Sequence, residues 1–400
     1  MSSELLAARP PLIRAMNEQL ILEHIRMYGP CSRADLARIS GLSKPTVSLA
    51  LGNVERAGLV QSAGQRTGVP GRTAVLYEIR PEAGFVLALD IGSKYLRGAV
   101  ADMAGAERAR SSRPVAARGV RSRIAELVEF ADSLCAAAGV ARADVTATVV
   151  GSPGVCDPAR DAILLPGALV GWDRPGSLAG IRTAFGDSVR IENDVNASAL
   201  AERAHGHGRD VDTFAFVHVG AGISMGLVID GKLHRGVHGV AGEIAFLPLG
   251  FPPAGAPTAG SSSAGADEAR RRGSLEVAAA ASGIVRAARA AGMRGPLSAR
   301  RVFDAAARGD ERAAGVVAAE ARLVAQAICC VIAVADPTLV VLGGGIGQAP
   351  GFAEAVSAVL PDLAPVMPEV KVSALASDAV VDGCLAEGAD LAWRRLTQLS

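Results

Sequence analysis

The stretch Ile191-Glu192-Asn193-Asp194-Val195-Asn196 decides how this chain reads. It is the end of a short strand running into a polar cluster, and a helical stretch from Ala197 to His205 follows at once. A carboxylate and two amides at the carboxyl end of a buried strand stand where open α/β sheets place their ligands. No cationic side chain lies beside Asp194 in the sequence, so it can serve as a general base or accept hydrogen bonds from a polyol. A plainer role is also open to it, that of the helix N-cap.

Outward from this point the same scheme recurs. Upstream, Phe85 to Leu89 is a continuous apolar strand followed by Asp90-Ile91-Gly92, and Leu96 to Asp102 reads as a returning strand. A carboxylate and a glycine at a strand end let the backbone approach a phosphate while the Asp binds Mg²⁺ or water. Arg123 to Gly139 has the pattern of an amphipathic helix. Val145 to Val150 then leads into Gly151-Ser152-Pro153-Gly154, a turn whose backbone can line a sugar pocket. Downstream, Thr213 to Val219 ends in Gly220-Ala221-Gly222, Met225 to Ile229 returns, and Leu339 to Leu342 runs into Gly343-Gly344-Gly345. One such glycine turn is ordinary turn chemistry. Three in this order describe two lobes closing over a nucleotide.

The first eighty residues read differently. Ile21, Ile25 and Tyr28 repeat at helical spacing, and Gly29-Pro30 ends that helix. Ser32 with Asp35 forms a capping-box variant for a second helix, in which Leu36 and Ile39 face inward. Gly41 makes a turn, and Ser43 caps a third helix in which Val47, Leu51 and Val54 repeat. Leu59-Val60 opens a hairpin with a Gly/Arg-rich tip, and Val75 to Ile79 closes it. Two short helices joined by a glycine turn, followed by a hairpin, are the winged helix-turn-helix layout. Ser43, Lys44, Thr46 and Ser48 begin the outer face of the third helix, where hydroxyls and a Lys suit phosphates and base edges. Arg66 and Arg72 on the wing reach toward the DNA backbone or the minor groove.

Composition agrees with this division. Residues 1–80 carry ten Arg or Lys against six acidic residues, a net +4, while the whole chain is +1. A basic segment fits a nucleic-acid partner. Half of the 400 residues are apolar and 4% aromatic, enough for a sizeable core in two or three domains. The longest apolar run, Ala327 to Ala335, stops at Asp336-Pro337, short of a bilayer span, so no membrane association and a cytoplasmic location are expected. The six cysteines form no CxxC pair, and Cys329-Cys330 reads as core packing.

With these motifs in this order, the chain resembles the ROK family of sugar kinases and sugar-responsive repressors over nearly all of residues 10–395. The resemblance implies an α/β architecture: a winged helix-turn-helix over 1–80, then a two-lobed, actin-like (ribonuclease H-like) sugar-kinase fold over 81–400. The lobes would be about 81–195 with the C-terminal end, and 196–380. It implies nucleotide contacts at Asp90, Gly92, Gly220, Gly222, Gly343 and Gly344, and sugar contacts at Gly154, Asn193, Asp194, Glu243 and Glu276. Asp194 is the implied catalytic base.

The departures from the family pattern weigh as much. The family's Glu-x-Gly-His stands here as Glu243-Ile244-Ala245-Phe246, and residues 247–275 contain no Cys. A structural zinc site needs four N or S ligands, so no metal is expected. The stretch from Pro252 through Gly265 reads as a flexible loop. No cofactor is expected, with ATP and Mg²⁺ entering only if kinase activity is retained. The expectation is a DNA-binding regulator, a repressor, with a small-molecule effector such as a sugar, binding a double-stranded operator as a homodimer or homotetramer. The alternatives are an active ATP-dependent sugar kinase carrying a DNA-binding domain, and a regulator whose lobes only dimerise.

Overall fold

The structure is a computed structural model that describes residues 10–66, 74–157, 159–165, 167, 169–186, 189–249, 263–375 and 378–398. Its first unit holds helices α1 (Pro10–Tyr28), α2 (Arg33–Ser40) and α3 (Lys44–Arg56), with strands β1 (Cys31–Ser32), β2 (Val60–Arg66) and β3 (Ala74–Ile79) in the order β1-β3-β2. Local chemistry sets the boundaries. Ser32 and Asp35 make a reciprocal capping box at α2, Gly41 ends α2 in the left-handed region at φ 71°, and Ser43 caps α3. Ile21, Leu22, Ile25, Leu36, Val47, Leu51 and Val54 close the core of this unit. Tyr28 corrects the sequence reading. It lies in the last turn before Gly29, is 60% exposed and stacks on His24, so Leu22 takes the inward place instead. Strand β1, paired to β3 at Cys31↔Tyr77, was too short to read from the sequence.

The rest of the chain builds two five-stranded sheets. The first contains β4 (Phe85–Ile91), β5 (Tyr95–Asp102), β6 (Glu107–Pro114), β7 (Val145–Ser152) and β10 (Arg190–Asn193), in the order β10-β7-β4-β5-β6. Helix α4 (Val120–Ala138) covers one face, and a small hairpin of β8 (Val155–Asp157) and β9 (Ala162–Leu164) precedes α5 (Ala179–Phe185). Helix α6 (Asp194–His205) leads to the second sheet: β11 (Phe214–Val219), β12 (Ile223–Ile229), β13 (Lys232–Leu233), β14 (Leu339–Gly343) and β15 (Glu369–Val372), in the order β13-β12-β11-β14-β15. Around it lie α7 (Ser263–Arg272), α8 (Ser274–Ala279), α9 (Ala281–Ala290), α10 (Ala299–Ala307), α11 (Glu311–Ala335), α12 (Gly344–Gly347) and α13 (Phe352–Val359). Helix α14 (Ala379–Gln398) then returns to the first sheet, with Val381, Cys384 and Ala392 buried against β4 and β7.

Three sequence expectations change here. Edge strand β6 was not foreseen because its side chains are mostly exposed and show no inward alternation. Residues 263–265, expected to belong to a loop, begin helix α7, while 250–262 lie outside the described residues. The expected shortfall from bilayer length is also corrected. Helix α11 has 25 residues and a window of mean hydropathy 1.9, long and apolar enough to cross a membrane by length and composition. Half of that window is buried, and Val316, Ala321, Val324, Ile328 and Ile332 pack it into the core under the second sheet. Cys329 and Cys330 sit half-buried at its edge, and the Cys329 thiol donates to the Leu363 carbonyl at 3.0 Å.

Helices α14 and α6 cross in backbone contact. A Cβ added at Gly383 would lie 1.7 Å from the Ala197 carbonyl oxygen. At its far end α14 places Trp393 in the core of the first unit, where its indole N–H donates to Glu23 at 2.6 Å and Arg26 lies over the ring. Gly383→Ala must force the two helices apart and should cost about 3 kcal/mol, as overpacking does. Gly315→Ala, in α11 where an added Cβ meets nothing within 4 Å, should be neutral or stabilising. Urea unfolding of the two variants beside the parent checks both outcomes.

Candidate functional site

Parallel pairing aligns the carboxyl ends of three strands in the first sheet. Asp90 lies opposite Gly151 between β4 and β7, and Asn193 opposite Ser152 between β10 and β7, so Asp90, the turn at Gly154 and Asn193 share one end of the sheet. In the second sheet His218 pairs with Gly343 across β11 and β14, which brings the Gly220 and Gly344 turns together.

Asn193 is the joint of the site. Its side-chain carbonyl accepts the backbone N–H groups of Val195 at 2.9 Å and Asn196 at 3.0 Å, and its amide donates to the Gly154 carbonyl at 3.0 Å. The N-cap of α6 is therefore Asn193, and the plain capping role considered for Asp194 falls away. Asp194 occupies the first helical position, with one carboxyl oxygen accepting from its neighbour Val195 at 2.9 Å. Burial, the negative charge of Asp90 and, after the opposing Val195 N–H, that of Glu243 push the Asp194 carboxyl up to about 7.

The other carboxylates crowd the same space. Asp90 is raised to about 6, chiefly by burial, although Arg97 opposes this at 3.2 Å from its cross-strand position. Glu243 is raised by burial and by Glu276. Glu276 in turn accepts from the Ile223 backbone N–H at 3.4 Å and pairs with Arg272 at 3.0 Å. The fold thus links Asp90, Asp194, Glu243 and Glu276 in a chain of neighbouring charges, Asp90 and Glu243 acting on Asp194 and Glu276 on Glu243.

The glycine turns have partners within the chain. A Cβ on Gly222 would stand 2.7 Å from the Glu276 carboxylate, and one on Gly220 would stand 2.8 Å from the His218 imidazole. Gly344, at φ +79°, has His218 at 2.9 Å, and Gly343 faces the Phe216 ring. At Gly92 the Tyr95 carbonyl takes the place of the missing side chain. These glycines are required by close internal approach, a reason that sequence pattern alone did not supply.

Other residues of the site left no signal in the sequence. Arg235, on the loop after β13, reaches Glu192 at 2.7 Å and Glu387 of α14 at 3.1 Å, which ties the second sheet's loop to β10 and to the C-terminal helix. Beside it a cavity of about 640 Å³ is lined by Asn193, Asn196, Glu192, Arg190, Arg235 and His238, among others, a size suited to a small molecule. Phe246, which follows Glu243 in a short 3-10 turn, is 41% exposed. Among the described residues no three His, Cys, Asp or Glu side chains are grouped as metal ligands.

In the first unit the predicted contact residues divide. Lys44 and Ser48 are exposed on α3. Ser43 and Thr46 are engaged in the cap, their hydroxyls 2.8 Å apart. Arg66 pairs with Asp35 at 3.1 Å and keeps half of its side chain exposed, while Arg72 lies outside the described residues.

Comparison with known proteins matches residues 86–393 to the ROK family. The Bacillus subtilis xylose repressor is 25% identical over 239 residues, 60% of this chain and 62% of its own length, so the match spans about three fifths of that relative. A solved ROK family transcriptional regulator, a homologue of the E. coli MLC protein, shares the fold at TM-score 0.77 and 24% identity, over 97% of this chain and 98% of its own. The ROK hexokinase of Thermus thermophilus superposes at TM-score 0.64 with 28% identity, over 76% of this chain and 97% of its own. Motif order, two-sheet architecture and a family match across more than three quarters of the sequence converge, and the chain belongs to the ROK family.

Proposed function

We propose that this protein is a transcriptional repressor that binds double-stranded operator DNA through residues 1–80 and senses a sugar or sugar derivative between the lobes of residues 81–400. The observation that carries this reading is the path of α14. One half packs on α6, which begins at Asn193-Asp194, and the other half holds Trp393 against α1 of the first unit. A ligand that favours one spacing of the lobes then also biases the placement of α3. Similarity to a xylose repressor supports the same assignment. The protein acts in the cytoplasm, where its operator lies, and as a homodimer or homotetramer, because helix-turn-helix units read paired half-sites.

The polar groups suit a neutral polyol better than a nucleotide. Asp194, Glu243 and Glu276 offer acceptors to sugar hydroxyls, whereas phosphates seek free backbone N–H groups and cations. At the second glycine turn the Ile223 N–H already serves Glu276, and Arg97 and Arg272 are held in ion pairs. No zinc and no nucleotide cofactor form part of this proposal.

One observation favours the second reading, an ATP-dependent sugar kinase with a DNA-binding domain. A carboxyl near 7 at Asp194 is matched to general-base work at neutral pH. A coupled ADP-release assay across hexoses, pentoses and amino sugars separates the two. The repressor reading expects no turnover above background. Sugar-dependent turnover abolished by Asp194→Asn establishes the kinase.

The regulator itself is tested by mobility shift on genomic fragments at moderate salt, with and without each sugar. The expected result is specific binding that one sugar releases or strengthens, accompanied by a rise in Tm with that sugar. Absence of any specific complex overturns the reading.

The charge state of Asp194 gives a further test. Its folded value of about 7 lies above the ordinary 3.8, so the folded protein holds the proton more tightly than the unfolded chain does. The stability that this group contributes therefore falls as pH rises from about 4 to about 7 and is level above that. Asp194→Asn removes this loss and should stabilise the protein by about 2 kcal/mol at pH 8, the cleft's contact with water moderating the full shift. The gain should vanish toward pH 4. Thermal melts of both proteins across that range measure it.

A further inference from the structure

Gly52 lies in the interior of α3, where glycine costs stability relative to alanine. Its φ is not positive, and a Cβ added there would meet nothing within 4 Å. At some other positions of the chain the reason for glycine is visible, although Gly315 in α11 shares the open surroundings of Gly52. At Gly226 an added Cβ would strike Ala199 and the Val195 carbonyl, and at Gly383 it would strike Ala197. Neither backbone strain nor packing calls for glycine at 52.

Its place on the helix supplies the reason. Val47, Ala50, Leu51 and Val54 form the buried face of α3. At 3.6 residues per turn, Ser48 and Gly52 stand one above the other on the opposite side, with Pro45 and Leu49 alongside. Leu49 is 54% exposed, an apolar side chain that follows the exposed Ser48 on α3. The surroundings are cationic: the amino end of α3 carries Lys44, Arg38 at the end of α2 has 74% of its side chain exposed, and residues 1–80 are net +4.

We infer that Gly52 and Leu49 determine operator specificity: Gly52 is the point of closest approach to the base edges, and Leu49 packs on thymine methyl groups in the major groove. This rests on the DNA-binding reading and adds to it the chemistry that is read. A helix fits the major groove, where the thymine C5-methyl is the apolar mark among donors and acceptors. A bare glycine at the centre of the face lets the helix backbone sink toward the base pairs, and the leucine one turn after Pro45 is set at their edges. A net positive unit that also exposes one apolar side chain on this helix matches a duplex, whose phosphates flank the groove.

The test uses the full chain. Its preferred operator is selected from a pool of random duplexes, and binding is then measured by fluorescence anisotropy for the parent, Leu49→Ala and Gly52→Ala. Each thymine of the operator is replaced in turn by deoxyuridine, which removes only the methyl group. At one or more positions per half-site the loss of the methyl should weaken binding by the parent about fourfold. Leu49→Ala should be indifferent to the same replacement. Gly52→Ala should melt roughly 2–4 °C higher, as alanine for glycine in a helix allows. It should nevertheless bind the operator about tenfold more weakly, because the added methyl obstructs a packed interface. A residue with a purely structural role would move both readouts in the same direction. Equal response of parent and Leu49→Ala to every deoxyuridine overturns the role of Leu49, and operator binding undiminished in Gly52→Ala overturns that of Gly52. If the parent selects no duplex, the DNA-binding reading itself fails, and this inference with it.

Discussion

Where Gly383 of α14 meets the Ala197 carbonyl of α6, two helices touch with no side chain between them. The two helices that meet there reach both sheets and the first unit. Helix α6 begins at the candidate site and lies against β12 of the second sheet through Ala199, beneath Gly226. Helix α14 lies on β4 and β7 of the first sheet and ends in the core of the first unit at Trp393. Because the contact is backbone on backbone, it has no rotamer to adjust. Arg235 makes a second tie between the same parts, from the loop after β13 to Glu192 and Glu387.

The electrostatics of the cleft follow from how the sheets present their strand ends. Parallel pairing places Asp90 and Asn193-Asp194 on one edge, and the second lobe adds Glu243 and Glu276. Arg97 and Arg272 balance part of that charge, while burial first, and for Asp194 then the charge of Asp90, raise Asp194 to about 7 and Asp90 to about 6. Such a site accepts hydroxyl donors readily and anions poorly. Its glycine turns are filled by internal contacts.

Much of the fold was legible because it rests on local signals. The capping box Ser32–Asp35, the Ser43 cap, the runs Phe85–Leu89 and Leu339–Leu342, and the turns after them each mark an element by nearest-neighbour chemistry. Elements with weak local signals were missed or misplaced. Strand β6 is exposed on both faces, β1 has two residues, and α7 begins in a stretch of Ser, Ala and Gly. Of the candidate site, the residue types at Asp90, Asn193, Asp194, Glu243 and Glu276 were readable from motif order. Their roles were divided otherwise: Asn193 proved to be the cap, and Ser43 and Thr46 are bonded to each other on the face expected to meet DNA.

The sequence by itself determined the order of the units, the capped starts of α2 and α3, the charge asymmetry and the family, since each depends on residues near one another along the chain. Only the tertiary structure decided which cation meets which carboxylate, why Gly222 and Gly383 are glycine, and how Trp393 is joined to Glu23. Those contacts span tens to hundreds of residues, and no spacing rule encodes a pairing that exists only once distant strands have come into register. At Asn193-Asp194 the two contributions meet: the chain supplies the side chains, and the fold makes one of them a helix cap and raises the other's carboxyl to about 7 by burying it.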